Sequence, residues 1–184
     1  MAKLSKDNWI IAALDLLSSR ESSGVSIVKL SKILGVSRGS FYYHFNSLND
    51  LIDAMIARWE ESVIDKGFVS SRMSASNPDE EIRNLIEFVT HLSDKQDLMF
   101  RQWAAFNDHV RQHMERLDQQ RLSFMTEMFQ RLAKDESRGA AYAKIAFYGY
   151  IGCLNSYPRP NSEKQREVAL EILSLFQTDL KLRQ

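Results

Sequence analysis

Arg38, Ser40, Tyr42, Tyr43 and His44 lie close together in the chain and offer a fixed cation, three hydroxyls and an imidazole, with no carboxylate among them. A set of that kind suits contact with a polyanion. A guanidinium can bond a guanine edge through paired donors, while hydroxyls, imidazole and aromatic bodies can reach phosphate oxygens or touch a thymine methyl. Gly39, in their midst, leaves the backbone free of any side chain, so a sugar-phosphate strand can come near it. Each residue has an ordinary alternative: Tyr42 and Tyr43 as half-buried packing residues, Arg38 as a solvated cation. Taken together they are better explained by nucleic-acid contact, because a plain solvent face mixes Glu with Lys.

Two other constellations invite chemistry. His109 and His113 are four apart, which on a helix puts them on one face at the spacing of a two-histidine metal pair, with Asp108 and His91 as conceivable further ligands. The residues between them are Val-Arg-Gln, without the glutamate of a zinc-protease helix, so a solvated or capped pair is the simpler reading. There is no Gly-rich phosphate loop and no nucleophile elbow, and the single cysteine, Cys153, sits in an apolar stretch. No enzyme, metal or cofactor is expected.

The elements that must position the first set can be read around Gly35, where a helix running one way gives out to another and a left-handed backbone is needed. Ahead of it Ile27, Leu30 and Leu34 share a helical face behind Ser26 as cap, and the small Ser31 admits a close neighbour. Behind it Val36 plugs the corner, Ser37 caps the next helix, and Phe41 and Phe45 both face inward. Arg38, Gly39, Ser40, Tyr42, Tyr43 and His44 are then left facing out. Helix, glycine turn, helix, with a polar and aromatic outer surface, has the spacing of a helix-turn-helix made for the DNA major groove.

On these residues the chain resembles the TetR family of transcriptional regulators. The segment Ala13-Leu14-Asp15-Leu16-Leu17 resembles that family's first helix, Ser26-Ile27 and Leu30 its second, Gly35 to Phe45 its recognition helix, and Ser47 to Met55 the start of its connecting helix. The resemblance implies that Ser26, Ser37, Arg38, Gly39, Ser40, Tyr42, Tyr43 and His44 face DNA. It departs where the family has Gly and an aromatic, here Glu21 and Ser22, and where a lysine is common, here Leu48, which removes one expected phosphate contact.

Composition agrees. Residues 1 to 46 hold six Lys/Arg against three Asp/Glu, a net of +3, so residues 47 to 184 stand at −3 in a chain of zero formal charge. The basic end carries the motif. One cysteine, no apolar run behind the N-terminal lysines and no run of about 18 apolar residues lead to the expectation of a cytoplasmic protein with no membrane partner.

The rest also reads as helix, its prolines confined to Pro78, Pro158 and Pro160 between periodic stretches. The fold class expected is all-α: an N-terminal three-helix helix-turn-helix domain, residues 1–46, joined by a long helix to a C-terminal helical ligand-binding and dimerisation domain, residues 47–184. Ser47 with Asp50 starts the long helix, 66–76 reads as a loop or frayed end, and Asn77-Pro78-Asp79-Glu80 opens a helix with Ile82, Leu85, Ile86, Val89 and Leu92 on its core face. A break at 93–95, a helix through Leu98 to Phe106, a long amphipathic one over 110–132 and a final hairpin follow, its last helix capped by Ser162 and Gln165. In that hairpin Ala146, Gly149, Gly152 and Cys153 let a neighbouring helix approach, and with Val168, Ile172 and Phe176 they can pair across a twofold axis or pack within one subunit. The resemblance favours the homodimer, and so two recognition helices on a palindromic operator.

Trp59, Phe88, Met99, Trp103, Phe106, Phe124 and Met128 form a store of soft, large side chains that can fill a core or line a pocket for a small apolar or aromatic effector, with His91 and Asn107 to orient it. The resemblance implies that such an effector releases DNA. The function expected is therefore a ligand-responsive transcriptional regulator, acting as a repressor on that resemblance; the alternative is a helical dimerisation scaffold or helical enzyme that does not bind DNA. Neither operator nor effector can be read from the residues.

Overall fold

The computed structural model describes residues 4–19, 25–91 and 95–182. Among them every regular element is a helix and none is a strand, so the chain is all-α as expected. Glu21, Ser22, Leu92, Ser93 and Asp94 lie outside the described residues. The chain divides into two compact units: Met1–Glu61 with Lys95–Glu115, and Ser62–Asp94 with Arg116–Gln184. The expected division at residue 46 falls inside the first of them.

In the first unit, α1 (Lys6–Ser18) starts at Ser5, whose hydroxyl accepts from the Asn8 amide while Asn8 answers the Ser5 amide, satisfying two of the donors a helix start leaves open. Short α2 (Ile27–Ile33) and α3 (Arg38–Tyr42) precede α4, which spans Leu48–Val63. Trp9, Leu30, Phe41, Leu51, Ile52 and Met55 are fully buried, with Trp9 edge-on to Phe41 at 5.3 Å between ring centroids. Aromatic burial of that kind contributes roughly 1.5–3 kcal/mol per side chain, and here it seats α3 against α1. Helix α7 (Lys95–Ala104) packs on α1, and its buried Phe100 lies 4.8 Å from the Trp59 ring. The unit ends with the first residues of α8 (Asp108–Ala133), opened by Asn107, whose side-chain oxygen accepts from the Val110 amide at 3.0 Å.

Of the loop or frayed end expected over 66–76, only residues 74–76 are non-helical. A π-helical turn (Ile64–Val69) and α5 (Ser70–Met73) carry the chain on as helix. Phe68 is buried and stacked on Phe124, Ser71 is buried, and a side chain on Gly67 would sit 2.6 Å from the Phe88 ring. Contacts from distant residues thus order a stretch of weak local propensity. Helix α6 (Pro78–His91) begins as read, Asn77 accepting from the Glu80 amide at 2.9 Å. Glu81, buried on this helix, is gripped by Arg72 at 3.0 Å and by Arg131. Helices α9 (Glu136–Asn155) and α10 (Ser162–Lys181) form the final hairpin, where Tyr142 stacks on Phe176 at 4.1 Å and its hydroxyl donates to Asp179. The cap of α10 is Asn161, one residue before the expected Ser162, because the asparagine oxygen takes the Lys164 amide; Gln165 bonds the Pro160 carbonyl instead.

Candidate nucleic-acid interface

The corner between α2 and α3 is closed by backbone bonds. The Val36 amide donates to the Ser31 carbonyl at 2.9 Å and the Gly35 amide to Lys32 at 3.3 Å, the paired bonds of a Schellman turn, which place Gly35 at φ 66°. Ser26 caps α2 by accepting from the Lys29 amide at 3.3 Å. Ser37 occupies the cap position of α3, but its hydroxyl makes no capping bond, contrary to expectation; its carbonyl takes the Ser40 amide at 3.1 Å instead. Helix α3 is accordingly short, and the His44 and Phe45 amides extend its bonding by both donating to the Phe41 carbonyl.

Phe41 and Phe45 are buried and stacked at 5.4 Å, with the Lys6 ammonium 5.0 Å from the Phe45 ring. These anchors turn the other side outward: Tyr42 and Tyr43 are 59% and 70% exposed, Arg38, Gly39 and Ser37 are exposed, and Ser26, Ser40 and His44 are part-exposed. Tyr43 stands edge-on to His44 at 5.0 Å. All eight expected residues are therefore at least part-exposed, seven of them running from Ser37 to His44 along α3 and its ends and Ser26 at the start of α2. A Cβ on Gly39 would meet nothing nearer than the Ser37 hydroxyl at 3.6 Å, so no internal packing among the described residues calls for glycine there. No acid occurs between residues 25 and 49, while Lys29, Lys32 and Arg38 all do. The first carboxylate after the corner is Asp50, and it is spoken for: the Asn46 amide and the Ser47 hydroxyl donate to it, and the Asn46 bond holds its carboxyl below the usual carboxylate range.

Residues 10–55, which contain this corner, match the profile of the bacterial regulatory proteins of the tetR family. Over 91 residues the chain is 29% identical to the HTH-type transcriptional regulator AcrR of Shigella flexneri, covering 50% of this chain and 41% of that protein. Residues 10–55 are thus similar to the tetR-family regulatory domain. The fold is shared over the full length: a TetR-family transcriptional regulator from Streptomyces coelicolor superposes with a TM-score of 0.78 at 16% identity, covering 95% of both chains. A TetR transcriptional regulator from Legionella pneumophila gives 0.67 at 15% identity, covering 98% of this chain and 97% of its own. These relatives are named as transcriptional regulators. Among the described residues no helix is long and apolar enough to cross a membrane.

The residues expected to line an effector site are dispersed. Trp59 packs on Phe100, Phe88 covers Gly67, Phe124 stacks on Phe68, Asn107 caps α8, and Phe106 is 93% exposed. His91 is exposed and bonds the Glu87 carbonyl, while Met99 and Trp103 on α7 are part-buried. Of that set Met128 alone lines the cavity of about 110 Å³ inside the second unit. Its walls include Ile82, Ile86, Met125 and Phe147, with Thr90, Arg121 and Gln165 as polar points that sequence reading missed. Ala146, Gly149, Cys153, Val168 and Ile172, expected at a subunit interface, also face this cavity, and Phe176 is buried against Tyr142. Gly149 would place a Cβ 3.4 Å from Ile172, so its smallness serves the hairpin within the chain. Gly152 alone of the seven is exposed.

Proposed function

We propose that this TetR-family protein binds a palindromic DNA operator as a homodimer, represses the adjoining gene, and is released by a small apolar effector. Residues 1–46 carry the DNA contacts and 47–184 the effector and dimer functions. The observation that carries the reading is the carboxylate-free corner of α3, where Arg38, Tyr42 and Tyr43 project while Phe41 and Phe45 hold the helix down. Arg38 and the tyrosines read base edges; Ser26, Ser37, Ser40 and His44 bond phosphates; Gly39 lets the strand approach. With Leu48 in place of the usual lysine, the phosphate grip is one contact lighter.

For release, the cavity of the second unit supports an effector reading. Its volume of about 110 Å³ is below the roughly 300–1,000 Å³ of ligand pockets in general, so a ligand enters by pushing aside flexible side chains such as Met125 and Met128. To move the protein from almost wholly DNA-competent to almost wholly released, the ligand must favour the released form by about 10⁴-fold. The second unit's exposed Ile145, Tyr148 and Leu175, on α9 and α10, supply the dimer face.

The experiment is DNA binding by the purified full chain on the fragment it protects. Arg38→Ala and Tyr42→Ala should each cost roughly 1–3 kcal/mol of specific binding while leaving helical circular dichroism unchanged. Binding by the wild type should also fall steeply with salt. Retained specific affinity in both variants would remove the groove reading.

A further inference from the structure

Asp53 of α4 and His109 and His113 of α8 converge inside the first unit. One carboxylate oxygen, Oδ1 of Asp53, lies 2.7 Å from Nε2 of His109 and 2.7 Å from Nε2 of His113. The three atoms that could hold an ion are all within 4.8 Å of one another. The histidine rings stand edge to face with centroids 5.1 Å apart, so both Nε2 atoms aim at one point without the rings stacking. Asp108, the acid nearest in sequence, takes no part, being paired with Arg111 at 2.8 Å.

We propose that Asp53, His109 and His113 bind a divalent transition-metal ion of the zinc, cobalt or nickel class. The donor set is the first argument: two imidazole nitrogens and one carboxylate suit such ions and leave at least one position for water or another small ligand. Geometry is the second. Around a tetrahedral ion with bonds of about 2.0–2.1 Å, neighbouring donors stand about 3.4 Å apart. The present hydrogen-bond contacts would open by well under an ångström as the ion replaces the ring protons they use. Access is the third. The Asp53 side chain is 48% exposed, His109 31% and His113 18%, so an ion can enter from the carboxylate side while the histidines stay held by packing. Arg111 lies two residues from each histidine, about 200° round the helix, and its charge is taken up by Asp108 and Glu115.

The ordinary alternative is a pair of histidines that merely clamp α4 to α8 through hydrogen bonds. Glutamine separates the two, since its amide can still donate to Asp53 but ligates these ions poorly. The proposal goes beyond the regulator reading and is measured without DNA.

The full chain, free of any affinity tag and carrying Cys153→Ser so that no thiol competes, is stripped with chelator. It is then titrated with zinc by calorimetry and with cobalt by visible absorption. One ion per chain is expected, with a rise in melting temperature on adding zinc. His109→Gln and His113→Gln should each weaken binding at least tenfold while keeping the metal-free melting temperature near that of the parent, and Asp53→Asn should weaken it as well. His91→Gln, a histidine outside the cluster, should bind as the parent does. Absence of binding in the parent, or binding that both glutamine variants retain at full strength, overturns the proposal.

Discussion

Gly35 and Gly39 stand four residues apart and are glycines for opposite reasons. Gly35 has room for a side chain, yet its φ of 66° is one that other residues reach only at a cost. Gly35→Ala should therefore destabilise the chain by about 1–2 kcal/mol, read as a lower urea midpoint. Gly39 has ordinary helical surroundings and free space around its missing Cβ. Alanine there should raise helix propensity by up to about 1 kcal/mol, so stability should hold or rise while DNA affinity falls. Those two variants separate folding from recognition by a single methyl group each. Were Gly39→Ala to bind DNA as tightly as the parent, the close approach of a strand to this backbone would have to be given up.

Among the elements, the start of α4 is where local chemistry fixes geometry beside the recognition helix. Asp50 accepts from the Asn46 amide at 3.0 Å and from the Ser47 hydroxyl at 3.2 Å, and its own amide donates to Ser47 at 3.1 Å. Because these bonds, the Asn46 one foremost, lower the Asp50 pKa, folding favours the carboxylate. That contribution is complete above the ordinary carboxylate value near 3.8 and is lost as the pH falls through the lower folded value. Protection of the Asn46 amide, measured against its intrinsic exchange rate, should fall as the pH drops below the ordinary carboxylate value in the parent, and Asp50→Asn should flatten that acid-side change. This cap was legible in the sequence, as were Asn77 before Pro78 and the Gly35 turn between α2 and α3, though not the missing Ser37 cap, because the participants lie within one or two helical turns. What could not be read depends on partners far along the chain. Phe68 and Gly67 are helical because Phe124 and Phe88 close over them, and Glu81 is buried because Arg72 and Arg131 reach it. Asp53 meets histidines 56 and 60 residues away, a meeting no periodicity announces. The hairpin's small residues were legible as a close-packing stripe, but not the side from which the neighbour comes. The side is set by the cavity wall that Ile82 and Ile86 of α6 complete.

At the scale of the molecule, one short helix in a groove would read only a half-site, so the palindromic-operator proposal stands or falls with a second copy. With Ala146, Gly149, Val168 and Ile172 turned toward the cavity, the apolar surface left outside on the paired helices α9 and α10 is Ile145, Tyr148 and Leu175, the last 68% exposed. Single exposed apolar residues are commonplace. Three on the hairpin whose counterparts pair in the family are a candidate seam, with Gly152 allowing a partner's backbone close to α9. Charge placed there should split the proposed dimer without touching the core. In Tyr148→Glu with Leu175→Glu, sedimentation should give the mass of one chain at micromolar concentration, and the melting curve should become independent of concentration. Joined half-site readers gain about 10²–10⁴ in avidity over single ones, so operator affinity should drop by a comparable factor while each Arg38 and Tyr42 surface stays intact. A doubly charged variant that sediments as a dimer would place the seam on another face, whereas a monomer that binds the operator undiminished would mean that the protein reads DNA as a single copy.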